Sequence, residues 1–144
     1  MASVDVETSI VINRPLAEVA AFAGNPENAP KWYVNIKSVE WKTPPPVRIG
    51  SRIAFVAQFL GRRMAYTYEI VELSASKLVM RTAEGPFPME TTYEWEPMAE
   101  GTRMTLRNRG TPSGFASIAA PFMARAMRSA NEKDLAALKQ LLES

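Results

Sequence analysis

The sequence predicts an α+β protein: an antiparallel sheet of seven strands, two short helices between strands 1 and 2, and one long C-terminal helix. Three observations carry this. Residues alternate between apolar and polar over most of the chain after Asn35. One sustained helical period stands near the C-terminus. The strands come in a run, flanked by helices, and do not alternate with them.

The first strand follows from Val4, Val6, Thr8, Ile10 and Ile12 on one face, with Asp5, Glu7, Ser9 and Val11 on the other. Pro15 suits the first position of a helix, preceded by Asn13 or Arg14. Leu16, Val19, Ala20 and Phe22 or Ala23 then form that helix, and Gly24 stops it. Asn25 caps a second short helix, which has Pro26 at its start and ends near Trp32.

Strand 2 spans Ile36 to Lys42. Pro44 to Pro46 form a stiff connector. Strand 3, Ser51 to Leu60, sets Ile53, Phe55, Ala57 and Phe59 on one face. Gly61 and Arg62 make a hairpin into strand 4, Arg63 to Glu72, where Met64, Tyr66, Tyr68 and Ile70 share a face. Strand 5 runs from Leu78 to Thr82. Strand 6 places Met89, Thr91, Tyr93 and Trp95 opposite Glu90, Thr92, Glu94 and Glu96. Strand 7 places Met104, Leu106 and Asn108 opposite Arg103, Thr105, Arg107 and Arg109. A glutamate face beside an arginine face describes a solvated, charge-paired surface.

The terminal helix is expected from Phe115 to Leu142, with Ser113 as its cap and a kink at Pro121. Its apolar stripe begins at Phe122, Met123, Ala126 and Met127 and continues to Leu135, Leu138 and Leu142. Asn131 and Asp134 lie close to that stripe and read as its solvated margin. A sheet with one apolar face needs a cover, and this helix is large enough to supply it.

Composition narrows the chemistry. A chain of 144 residues reads as one domain. Net charge is +2 with no basic run, which argues against a nucleic-acid partner. There is no run of 18 apolar residues, so no membrane span is expected. The first six residues are acidic and too short in apolar length for a signal peptide, which points to a cytoplasmic protein. With neither cysteine nor histidine, thiolate nucleophiles, the usual general base and the usual transition-metal ligands are missing. No phosphate-binding glycine loop or GxSxG occurs. No metal, no cofactor and no catalytic residue is therefore assigned.

The order of elements resembles the START-like, or SRPBCC, superfamily, and within it the polyketide cyclase/dehydrase subgroup. The resemblance rests on Asn25-Pro26-Glu27-Asn28 through Lys31-Trp32, Pro46-Val47-Arg48-Ile49-Gly50-Ser51-Arg52, Gly61-Arg62 and Glu100-Gly101-Thr102-Arg103. It continues in the tail, Asn131-Glu132-Lys133-Asp134-Leu135 through Leu142-Glu143. It covers the whole chain. It implies a helix-grip fold, with the sheet wrapped around the terminal helix, and a cavity between them for an apolar or aromatic small molecule.

The residues expected to line that cavity are Trp32, Phe55, Phe59, Tyr66, Tyr68, Met80, Met89, Tyr93, Asn108, Phe122, Met123 and Met127. Large apolar walls with a few polar groups describe a small-molecule or lipid site, and methionine suits adaptable apolar surfaces. The same residues also describe a solid core. Trp32 reads equally as a lid or as a staple under the short helices. Three functions stay open: binding of a small hydrophobic molecule; a cyclase/dehydratase that folds an aromatic or polyketide-like substrate with proton transfer by tyrosine or carboxylate; or a regulatory or protein-interaction module whose pocket is vestigial. Oligomeric state is not legible.

Overall fold

The structure is a computed structural model that describes residues 3–59, 61–85, 87–111 and 120–144. The elements are β1 (Val4–Ile12), α1 (Leu16–Ala23), a 3-10 turn (Pro26–Asn28), α2 (Ala29–Trp32), β2 (Ile36–Trp41), β3 (Arg52–Phe59), β4 (Arg62–Leu73), β5 (Lys77–Glu84), β6 (Met89–Met98), β7 (Gly101–Gly110) and α3 (Ala120–Glu143). The seven strands form one antiparallel sheet in the order β1-β7-β6-β5-β4-β3-β2.

The expected alternation is realised in β1, where Val4, Val6, Thr8 and Ile12 are buried while Asp5, Glu7 and Ser9 are exposed. β4 departs from it. Its register against β5 shifts between Thr67 and Tyr68 and again between Ile70 and Glu72. Such bulges add local twist and bend a strand, which helps the sheet curl around α3. The outer face carries the expected charge pairs: Glu90 holds both Arg81 and Arg109, and Arg107 holds Asp5 at 2.7 Å.

Local rules explain the short elements. Asn25 accepts a hydrogen bond from the Glu27 N–H at 3.1 Å, capping the turn that Pro26 opens. Pro15 stands just outside α1 and not at its first helical position; it is extended, at φ −60° and ψ 148°, and its carbonyl accepts from Val19. Gly101 turns β6 into β7 at φ 135°, and a Cβ there would meet the Ile12 carbonyl oxygen, so only glycine fits.

α3 lies along β1 and touches α2. Within the described residues it is continuous from Ala120, and Pro121 sits in the first turn of that stretch. The expected cap at Ser113 and the helical stretch from Phe115 fall outside the described residues, as does any bend before Pro121.

The buried side chains divide into two clusters. Leu135, Leu138 and Leu142 from α3 join Ile12, Trp32, Ile53, Ile70, Leu78, Trp95, Met104 and Leu106 in the larger one. Met123 joins Val4, Val6, Phe87 and Met89 in the smaller, with Tyr66, Tyr68 and Met127 packed alongside. Leu138 is fully buried, which stabilises the docked helix by about 1.5–3 kcal/mol.

Candidate functional site

Between the first half of α3 and the curled sheet lies a cavity of about 140 Å³. Its walls come from alternating positions on the concave face: Phe55 and Ala57 on β3, Met64, Tyr66 and Tyr68 on β4, Met80 on β5, Met89, Thr91 and Tyr93 on β6, and Asn108 on β7. α3 contributes Met123, Met127, Ala130, Asn131 and Asp134, and the chain after α2 contributes Tyr33, Asn35 and Ile36. Phe87 closes one side.

Of the residues expected there, Phe55, Tyr66, Tyr68, Met80, Met89, Tyr93, Asn108, Met123 and Met127 stand on the wall. Trp32 does not. It is 1% exposed and belongs to the larger core cluster, its ring tilted against Tyr33 with centres 4.1 Å apart, so it supports the wall from behind. Phe122 does not either. It is 63% exposed, because one step along the helix from Met123 turns a side chain about 100° away from the stripe. The side chain of Phe59 lies outside the described residues.

The largest correction concerns α3. Asn131 and Asp134 are 4% and 2% exposed, so they are not the solvated margin of the stripe but part of its buried centre. Both line the cavity. Asp134 Oδ1 accepts a hydrogen bond from the Val34 backbone N–H at 2.8 Å. Burial pushes the Asp134 carboxyl up to about 7, with the Val34 N–H working against that rise. The amide nitrogen of Asn131 is buried without a hydrogen-bond partner.

Beside Asp134, the hydroxyls of Tyr33 and Tyr93 are hydrogen-bonded to each other at 2.5 Å. Burial raises both well above the ordinary tyrosine range, and the Asp134 carboxylate pushes both further. The two therefore stay neutral at ordinary pH. They share one hydrogen between their oxygens, which leaves one further hydroxyl hydrogen for another acceptor. On the sheet floor, Thr91 Oγ1 donates to Asn108 Oδ1 at 2.6 Å. Burial raises Tyr68 too, opposed by the hydroxyls of Thr91 and Thr82. Tyr66 and Tyr68 stack at 5.8 Å between ring centres.

The result is an apolar chamber with one polar pole. Its rings and thioethers suit a flat apolar body. Its pole offers a neutral hydroxyl pair, an amide and a carboxyl able to take up or release a proton near neutrality.

A curled antiparallel sheet closed by a long C-terminal helix over a cavity is the helix-grip fold of the START/SRPBCC proteins. The chain belongs to the family described as polyketide cyclase / dehydrase and lipid transport, whose model matches residues 3–143. Solved structures agree on the fold. The protein TTHA0849 from Thermus thermophilus superposes with a TM-score of 0.83 at 21% identity, covering 94% of each chain. A START superfamily protein from Mycobacterium smegmatis gives 0.83 at 12% identity, over 96% of this chain and 97% of the other. The Zhui aromatase/cyclase from Streptomyces sp. R1128 gives 0.81 at 13% identity, over 98% and 94%. No curated protein matches the sequence at a significant level. Among the described residues, no helix is long and apolar enough to cross a membrane.

Proposed function

We propose that this protein binds a small hydrophobic or aromatic molecule in the cavity between sheet and helix. The observation that carries this reading is the cavity's construction: an apolar wall around a few converging polar groups, in a space the flanking side chains leave open. At about 140 Å³ the space is close to the roughly 150 Å³ engineered cavity that admits benzene, which favours a single ring with a short substituent. The family description, which includes lipid transport, supports a binding role. The test is native mass spectrometry of gently purified protein, followed by titration with one-ring probes monitored by tryptophan fluorescence. Trp32 stands 5.8 Å from the Tyr93 ring and so lies within reach of an occupant's influence. Co-purification of a small apolar molecule, or saturable quenching by such probes, is expected. A protein that is empty and indifferent to every probe would reject the reading.

A second reading, a cyclase/dehydratase acting on an aromatic or polyketide-like substrate, is favoured by one specific observation. Asp134 supplies a buried carboxyl, poised near neutrality, beside the Tyr33–Tyr93 pair. In that role Asp134 would move the proton and a tyrosine hydroxyl would hold a carbonyl oxygen. A solved neighbour named as an aromatase/cyclase supports it at the level of the family. Turnover lost in Asp134→Asn with substrate binding retained would favour catalysis; binding with no turnover by the native protein would favour carriage.

A further inference from the structure

The cavity's charge is of one sign. Among the described residues no lysine or arginine lines it, and the chain has no histidine. Met1, Ala2, Leu60, Pro86 and residues 112–119, which lie outside the described residues, carry no charged side chain. Among the described residues Asp134 is the one carboxyl on the wall and has no cationic partner; its hydrogen bond comes from a backbone N–H. Tyr33 and Tyr93 stand near it, and Tyr68 and Phe55 line the same cavity; the ring faces of all four are electron-rich.

An anionic ligand entering this space would lose its water, meet no countercharge and approach a like charge. A neutral ligand would fill the apolar part and leave the pole as it is. An organic cation would meet what the wall provides: a carboxylate to pair with and ring faces to lie against. At the same pole the Asn131 amide nitrogen is buried with no partner. As a donor it answers an acceptor atom and not an ammonium, so the preference for a cation rests on Asp134 and the ring faces.

Building on the binding role proposed above, we propose that the cavity selects small aromatic amines in their protonated form, with Asp134 as the counter-ion and the Tyr33–Tyr93 pair beside it. Neutral analogues of the same shape bind more weakly, and carboxylate analogues more weakly still.

The groups facing Asp134 are Tyr33 and the Val34 N–H after α2, Tyr93 on β6 and Asn131 on its own helix. None of them carries a charge between pH 6 and 8. Lys37 rests its ammonium on the Val34 carbonyl at 3.4 Å, on the exposed side. With the Asp134 carboxyl at about 7, roughly nine tenths of it is ionised at pH 8 and a tenth at pH 6. Affinity for an amine then falls about tenfold across that interval, while affinity for a neutral alcohol stays flat.

The experiment is calorimetric titration of the full chain with 2-phenylethylamine, 2-phenylethanol and phenylacetate at pH 8 and pH 6. We expect the amine to bind about tenfold or more tightly than the alcohol at pH 8, with phenylacetate the weakest. We also expect the amine alone to lose affinity at pH 6. In Asp134→Asn the advantage of amine over alcohol should shrink to within about threefold. Alcohol binding that equals or exceeds amine binding at pH 8 overturns the proposal and leaves the hydrophobic site standing. An amine preference that survives in Asp134→Asn overturns the counter-ion assignment. If none of the three binds, the binding role itself fails and the proposal fails with it. The native protein's pH dependence decides the matter even if the variant folds poorly.

Discussion

The carboxyl of Asp134 reaches across 100 positions of sequence to the Val34 backbone N–H, at 2.8 Å. That bond fastens the middle of the terminal helix to the segment leaving α2. It also fixes a charged group in the wall of an otherwise apolar chamber.

The fixed carboxyl makes stability depend on pH in an unusual direction. Its folded pKa, about 7, lies above the unfolded 3.8, so the folded state holds the proton more tightly. This group's contribution is therefore favourable below about pH 4 and is lost as pH rises to about 7. Asp134→Asn keeps the acceptor for Val34 and removes the buried charge. We expect the variant to be more stable than the native chain at pH 8, with a ceiling on the order of 4 kcal/mol, and nearly equal to it at pH 4. Paired thermal melts at the two pH values measure this. A variant less stable at pH 8 would mean the carboxylate is better solvated than its burial implies.

The Tyr33–Tyr93 bond gives a second prediction. Tyr93→Phe strands the Tyr33 hydroxyl in a buried setting, at a cost of about 1–3 kcal/mol. Removing both hydroxyls removes the stranded partner as well. The double variant should therefore cost less than the sum of the single ones. Urea denaturation of the three variants reads the coupling directly.

Ala130 lies on the cavity wall and is only half-buried, so a larger side chain there can grow into the open space. Ala130→Leu is expected to abolish binding of one-ring probes. The melting temperature should be unchanged or slightly higher, because filling a void adds contacts without overpacking. Lost binding together with a fall of several degrees would point to disrupted helix docking instead.

The two halves of α3 should answer differently to truncation. Leu138 is fully buried in the larger cluster, and Leu138→Ala should cost about 2–5 kcal/mol. Met127 borders an existing cavity, so Met127→Ala mainly enlarges space already there and should cost about 1 kcal/mol or less. Equal costs would argue that the chamber is filled in solution.

The sheet was legible because alternation is a strong signal. Val4 to Ile12, Met89 to Trp95 and Met104 to Asn108 lie on the faces their pattern assigns. The bulges in β4 were not, since a register shift depends on its partner strand, β5, and leaves no mark in its own sequence. At the site, reading residue types in isolation hid the polar pole. Asn131 is four positions after Met127, and Asp134 is four before Leu138. Both therefore fall on the line joining two apolar anchors, and that spacing was the available clue. Tyr33 was missed for another reason. α2 ends at Trp32 and the backbone turns extended at Tyr33, so neighbouring aromatics face different spaces. Phe87 sits between two prolines in a loop, where no periodicity assigns a side.

The partition of the interior into a solid cluster and a hollow one has a consequence for how such a chain can diversify. Leu135, Leu138 and Leu142, locked among the rings and aliphatics beneath them, keep the helix seated whatever stands nearer its other end. Tyr66, Met89, Met127 and their neighbours are thereby released from the task of holding the molecule together. Exchanges among them reshape the chamber while the scaffold endures, so one architecture can accept new guests through a handful of replacements.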